Sequence, residues 1–508
     1  VSASTSKQQA IFGSPARAFN LCALTYVGGF FLLRTMLSST IGVDDVEQMI
    51  YAQDWRWGYN PSQPPLYTWL MLIAMKIVGV SPIAPQVIRY AILFLTFVFL
   101  YRCARRVIRN PDLQVLAAFA PILIHFVGWG AHQGFTHSAL VGAATAASLW
   151  AMFRVMERGT WGDYVILGIA FGLGLQSKYN FGMLMLAMLL AVASDRAARG
   201  RLVAPRLLLS VAIAIAMIAP VLAWLVQGRE LRGVLGSYVT YKMGGEEAGD
   251  LARLPALWSI ARSSILFIAS FLVAAVLLFP QALRRLPVTG ESRDPDPGRL
   301  LGRFLLLFYG VLAIGALVGL LEHVKIRWMY PVLILFPLYY LYRAERVGVP
   351  ARRIAWLRNV LLGFVALTVV LWVLQPAFNG ILCGRCRLFE PYPALAEAMA
   401  RDMDFSDGTI VAADEHIAGN LRPSFPAASV FALPYPFYVP PDARAGACLL
   451  VWNAKNGEKL PRGLAKALQS ITPRSVSGSV VTRFVEGTNP AAHRTLRLAY
   501  AVLHPCRQ

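Results

Sequence analysis

Asp44, Asp45 and Glu47 stand together in VDDVEQ, directly after an apolar run long enough to enter a membrane. Carboxylates at such a boundary are expensive unless they are used. An Asp beside an electrophilic carbon can take the proton of an incoming hydroxyl. Two acids together can instead hold a hard divalent ion such as Mg or Mn, with Asp44 and Asp45 as the ligands. Asp is also a favoured helix N-cap. Capping needs only one residue, so it leaves the second acid and Glu47 unexplained. The same stretch continues with Asp54 and Arg56.

Cations recur at comparable boundaries. Lys178 lies in LQSKYNFG, Lys325 and Arg327 lie in EHVKIRW, and Lys242 lies in a long loop with Glu246 and Glu247. At headgroup depth such side chains can pair with a phosphate and stabilise one that departs. The plainer use is ordinary lipid headgroup binding at a helix end. His132 and His137 in GWGAHQGFTHS are five apart, which is not the i, i+4 spacing of a helical metal pair. They read as contacts to an acceptor, a substrate or backbone. Tyr51, Trp55, Trp57, Tyr59, Tyr67 and Trp69 read as interfacial anchors, one or two of which could stack on a sugar.

These residues must be held by membrane helices. The chain is 57% hydrophobic and 15% charged, against roughly 25% charged in a soluble domain. Apolar runs begin near 18, 85, 113, 137, 162, 180, 207, 256, 301, 329 and 357. Arg clusters at 102–109, 154–158, 196–206, 284–299 and 343–358 fall at every second loop. The positive-inside rule places those loops and the N-terminus in the cytoplasm. The net charge of +21 is therefore a matter of topology, and no nucleic-acid partner is expected. The spacing predicts about eleven spans, with 66–80 too short to cross and lying at the interface. No cleavable signal peptide is visible, and the first run reads as a signal anchor.

The expected fold is thus an all-α polytopic membrane domain over 1–376, followed by a small α/β domain over 377–508 outside the cytoplasm. TIVAAD, CLLVWNA and LRLAYAVLH supply strand-like stretches there. Cys383, Cys386, Cys448 and Cys506 are candidates for two disulfides in an oxidising compartment, with zinc as the weaker reading. Cys22 and Cys103 read as inert thiols. The acids of the first loop and the cations of the later ones all fall on the outer side.

An acidic pair after the first span, followed by QPPLYTWL, resembles the GT-C glycosyltransferases in their PMT and aminoarabinose-transferase branch. SKYNF at 177–181 and KIRW with its following Pro331 are similar to the lipopolysaccharide galacturonosyltransferases of the Rgt type. VAADEHIAGNLRP resembles the outer domain of that group more loosely. The resemblance implies an inverting enzyme that moves a sugar from a polyprenyl phosphate to a lipid or glycolipid acceptor, at the periplasmic face of a bacterial inner membrane. It implies Asp44 as base, Asp45 as support or metal ligand, and Glu47 as the matching third acid. Lys178, Tyr179, Lys325, Arg327 and Arg56 would bind donor phosphate or a sugar carboxylate. Two departures stand out. Gln63 occupies the place before the Pro pair where the aminoarabinose enzymes carry Lys. Gly134 stands where an acid is expected.

Two other functions use some of the same residues. A flippase for an anionic lipid-linked sugar would need the cations but no acid cluster, and would want polar residues in mid-span. The span interiors are Ala, Leu, Val, Ile and Phe. A non-catalytic GT-C scaffold would tolerate Gly134. The transferase reading uses both charge sets, and the enzyme is expected to act as a monomer.

Overall fold

The computed structural model describes residues 14–227, 253–284, 295–382, 387–403, 405, 407–435, 437–440, 446–457, 459–471 and 481–503. Lys242, Glu246, Glu247, Cys383, Cys386 and Cys506 lie outside them.

Seven helices among the described residues are long and apolar enough to cross a bilayer. They are α1 (Pro15–Leu37), α4 (Ile83–Val107), α7 (His137–Glu157), α10 (Arg206–Gln227), α11 (Arg253–Leu278), α12 (Pro297–Leu317) and α14 (Ala351–Leu374). At 1.5 Å per residue each exceeds the roughly 30 Å hydrocarbon core. The other four apolar runs take different forms. The run near 113 breaks into α5 (Pro111–Phe119), a 3-10 turn and α6 (His125–Gly128), with an 87° bend across the break. The run near 162 is α8 (Trp161–Ser177), and the run near 180 is α9 (Phe181–Ala193). The run near 329 is divided between the turn Tyr330–Leu333 and α13 (Phe336–Val347). Two short helices fill the first loop, α2 (Val43–Tyr51) and α3 (Leu66–Val78).

The chain forms two compact units. The first comprises 1–29, 91–131 and 137–368. Its helices begin on local signals: Thr160 and Asp163 form a reciprocal capping box at the head of α8. Gly168 then brings α8 against the backbone of Ser210 in α10, where an added Cβ would lie 2.8 Å from it. Close backbone approach of this kind supplies the packing energy that water cannot supply in lipid.

The second unit comprises 30–90, 132–136 and 369–508. It contains α2, α3 and the C-terminal segments α15 (Tyr392–Asp402), α16 (Glu415–Leu421) and α17 (Arg462–Ile471). Five strands form one mixed sheet in the order β2-β1-β3-β5-β4. They are β1 (Thr409–Ala412), β2 (Ser429–Ala432), β3 (Cys448–Asn453), β4 (Arg483–Asn489) and β5 (Arg494–Leu503). β1 is parallel to both β2 and β3, whereas β5 is antiparallel to β3 and β4. A parallel neighbour needs a crossover, and α16 provides it between β1 and β2. All four residues of β1 are buried, as a strand covered on both faces requires. Val411, Phe431, Leu450, Trp452 and Leu468 are at the centre of its core. Cys448 is disulfide-bonded, while Cys22 and Cys103 are free thiols.

Candidate active site

The acidic pair occupies the first turn of α2. The N-cap is Gly42, which makes no side-chain cap hydrogen bond. Neither Asp holds the N-cap position, and the two acids have different surroundings. Asp44 is half-buried. Asp45 is 0% exposed, and its Oδ2 accepts from a guanidinium nitrogen of Arg89 in α4. Arg89 also donates to Gln86 Oε1 at 2.6 Å and to the His132 carbonyl at 3.2 Å. Arg34 adds a second positive charge near Asp45 and itself donates to the Ser38 and Thr40 carbonyls at 2.8 Å. Burial pushes the Asp45 carboxyl up, and the charges of Arg89 and Arg34 act against that push.

His132 completes this buried set. Its ring stacks on Phe30 at 4.0 Å, and its Nδ1 is 3.2 Å from the Tyr90 hydroxyl. Gly134 has φ +153°, and a Cβ there would lie 3.9 Å from both Asp44 N and Asp45 Oδ2. The expected acid would thus have faced the Asp45 carboxylate and the α2 amides. Here that place holds no side chain.

The donor set for a divalent ion is correspondingly thin. Such an ion takes six or more oxygens, including several carboxylates or waters. Asp45 is committed to a guanidinium, although its Oδ1 is buried without a hydrogen-bond partner among the described residues. Gly134 offers no oxygen from a side chain, and Glu47 Oε1 accepts from Asn60 Nδ2 at 3.0 Å. Among the described residues no three His, Cys, Asp or Glu side chains gather as ligands. Asp44 and Asp45 alone supply fewer carboxylates than such an ion usually takes.

The loop after α2 is held by aromatic rings and by the C-terminal segments. Trp55 stacks on Trp69 at 5.1 Å, and Trp69 Nε1 donates to the Arg56 carbonyl at 2.8 Å. Arg56 pairs with Asp54 at 2.6 Å, donates to the Val439 carbonyl at 2.8 Å and lies over the Tyr438 ring. Tyr438 in turn donates to Asp54. Gln63 closes a bridge with Asn60, and its Oε1 is buried with no hydrogen-bond partner among the described residues.

The C-terminal segments also grip α2 along its length. Asn420 Oδ1 accepts from Ile41 N at 2.7 Å. Gly419 lies against Val46, where an added Cβ would come within 2.6 Å. Arg422 is buried and donates to the Met49 and Ala52 carbonyls at the far end. Burial lowers the Arg422 guanidinium only to about 10, so it remains charged at neutral pH. Gln53 exchanges two hydrogen bonds of 2.7 Å with the backbone of Val430 in β2. Beside them, burial raises the Tyr435 hydroxyl well above the usual range, and the charges of Glu47, Glu415, Asp44 and Asp414 add to it. Burial and the nearby Arg387 hold His416 at about 3, so it is neutral.

Lys178, Lys325 and Arg327 lie in the first unit, and Arg56 in the second. Lys178 is the C-cap of α8, and its Nζ donates to Ser138 Oγ at 3.3 Å. His137, the first residue of α7, places Nδ1 3.2 Å from the Ser177 carbonyl. The half-buried Tyr179 follows. Lys178 thus sits beside the N-terminal turn of α7, whose amides favour anions. Lys325 and Arg327 are exposed. Ser259 and Ser263 of α11 hold Val324 by its amide and carbonyl, at 3.0 and 2.7 Å. Tyr330 rests on Gly142 of α7, so the turn carrying both cations docks on the helix that also meets Lys178.

Arg89, Arg34 and Arg422 are the side chains that the sequence reading missed. Arg34 and Arg89 lie inside apolar runs, where an ionisable group is itself a signal. Arg422 lies in the NLRP stretch of the tail.

The dolichyl-phosphate-mannose-protein mannosyltransferase family model matches residues 62–224. The lipopolysaccharide core galacturonosyltransferase RgtB of Rhizobium johnstonii is 28% identical over 448 residues, covering 86% of this chain and 88% of that protein. RgtA of the same organism is 27% identical over 452 residues, covering 88% of each. The structure of ArnT from Cupriavidus metallidurans bound to undecaprenyl phosphate is similar with a TM-score of 0.60 at 14% identity, covering 95% of this chain and 97% of ArnT.

Proposed function

We propose that this chain, a polyprenyl-phosphate-sugar-dependent glycosyltransferase of the GT-C superfamily and its ArnT-like branch, moves a uronic acid such as galacturonate onto lipid A, lipopolysaccharide or another envelope lipid. The names of its two relatives support the sugar and the acceptor class. The observation that carries the mechanism is the asymmetry of the acidic pair. Asp44 is half-buried, while Asp45 is fully buried against Arg89.

In this reading Asp44 takes the proton of the acceptor hydroxyl. The oxygen forms a bond to the anomeric carbon, and the bond from that carbon to the phosphate oxygen breaks on the opposite face. Configuration inverts, and the electron pair leaves with the polyprenyl phosphate. Lys178 with the α7 amides, and Lys325 with Arg327, meet the phosphate charge or the carboxylate of the sugar. Asp45 and His132 keep α2 in place, and Glu47 and Gln63 offer polar atoms to sugar hydroxyls. No step is assigned to a metal.

The topology belongs to the same proposal. The seven long helices and the four short or broken ones make eleven crossings, with 1–376 as the membrane domain and 377–508 as a periplasmic one. Reaction at the outer face of the inner membrane follows, and a monomer suffices.

The deciding experiment is transfer from a labelled polyprenyl-phosphate sugar in detergent. Asp44→Asn should lower turnover by about 10²–10⁴-fold, the usual worth of a general base, with donor binding retained. Full activity in that variant removes Asp44 from the chemistry. A flippase would form no glycosidic bond in the same assay.

A further inference from the structure

A cavity of about 510 Å³ opens in the first unit, lined by α11, α12 and α13. Arg299, Arg303 and Tyr339 line one end, and Ile268, Leu306 and Tyr309 line the rest. It is not part of the site described above. On α12 the lining runs from Arg299 to Tyr309, about 15 Å of helix at 1.5 Å per residue. That is half of the roughly 30 Å hydrocarbon core, the depth of one leaflet. Leu306 is 72% exposed along this stretch, so the wall is open to the bilayer.

The polar end is built. Gly302 has no side chain because the Tyr339 ring lies where one would be, 2.7 Å from an added Cβ. Arg343 lies over the same ring at 5.9 Å. The side chains of Arg299 and Arg303 are each 38% exposed. Arg303 contacts Asp195 at 2.8 Å, and Arg299 is 3.7 Å from Asp296. Among the described residues, the cations Arg299, Arg303 and Arg343 stand against the carboxylates of Asp195 and Asp296 at this end. A guanidinium carries five donors, so such pairs do not exhaust it. This is also the Arg-rich end of α12, which the positive-inside rule assigns to the cytoplasmic leaflet. That leaflet is anionic. Lys325 and Arg327 follow the other end of α12.

We infer that this groove binds a phospholipid with an anionic headgroup, its phosphate on Arg299 and Arg303 and one acyl chain along Leu306 towards Tyr309. A basic pocket between membrane helices is suited to such lipids. A zwitterionic lipid fits less well, because its own cation would face the arginines.

The test is native mass spectrometry and thermal unfolding of the full chain in phosphatidylglycerol or phosphatidylcholine. Phosphatidylglycerol should stay bound and raise the midpoint, and phosphatidylcholine should not. Arg299→Gln should weaken retention about fivefold, the worth of one cation near an anionic surface. Leu306→Trp fills the groove from its exposed side without touching a charge, and should lower retention while the protein still folds. Equal retention of both lipids, or unchanged retention in Leu306→Trp, overturns the inference. Displacement of phosphatidylglycerol by stoichiometric polyprenyl phosphate also overturns it, since the groove would then belong to the donor. None of these readouts depends on transfer activity.

Discussion

Asp44 and Asp45 are adjacent in the chain yet point into different dielectric worlds. A carboxylate sealed with a guanidinium gains its stability from the partner, and loses it when the partner goes. Asp45→Asn should therefore destabilise the protein by about 3–5 kcal/mol, the usual loss when one member of a buried pair is removed. The measurement is thermal unfolding in detergent beside turnover per folded molecule. The double variant Asp45→Asn with Arg89→Met should cost less than the sum of the single changes, because the two side chains act as one unit. An Asp45→Asn protein of normal stability that had lost transfer would instead make Asp45 a chemical participant. The acids themselves were legible from VDDVEQ, because capping a helix accounts for only one of them. Their division of labour was not, since Arg89 is 44 residues away from Asp45 and no local pattern pairs them.

Helix α2 is only nine residues long, too short to hold itself together in isolation. Its position comes from what grips it: Asn420 before its start, Gly419 at its middle and Arg422 at its end. The C-terminal segments are thus part of the scaffold that aims Asp44. Arg422→Ala should lower kcat with KM little changed, by about 10²-fold if the helix shifts on the order of 1 Å. Arg422→Lys should restore part of the loss, because one ammonium can still reach a carbonyl. A rise in KM alone, with kcat intact, would deny the positioning role. The sequence hinted at this through VAADEHIAGNLRP, which stood out only as a resemblance. Its physical use is to close hydrogen bonds across some 370 residues of chain, as between Arg422 and Ala52.

For the whole molecule, the GT-C resemblance is borne out by the matching family model, the two Rhizobium relatives and the ArnT-like architecture. Eleven apolar runs were expected as spans, and seven form helices of full length among the described residues. Hydropathy reports composition and not continuity, so the 87° break after Leu123 was invisible to it. The tail's sheet was foreseen from its strand-like stretches. Cys448 is disulfide-bonded and stands opposite Leu503 in the ladder. We propose Cys506 as its partner, with Cys383 paired to Cys386, both formed in an oxidising compartment. Peptide mapping without reductant should recover both links, and Cys448→Ser should lower the unfolding midpoint by the equivalent of about 2–4 kcal/mol. Recovery of Cys448 as a free thiol from native membranes would oppose a periplasmic tail.

By itself the amino-acid sequence determined the run of apolar helices, the acidic pair, the boundary cations and the family resemblance. Each of these is written locally, in periodicity, composition or a short motif. Only the tertiary structure decided that Asp45 is sealed by Arg89, that Gly134 leaves a place beside it without a side chain, that Arg422 holds α2 and that a basic groove lies along α12. Those facts depend on side chains brought together across tens to hundreds of residues, and the free energy of such contacts exists only once the chain has folded.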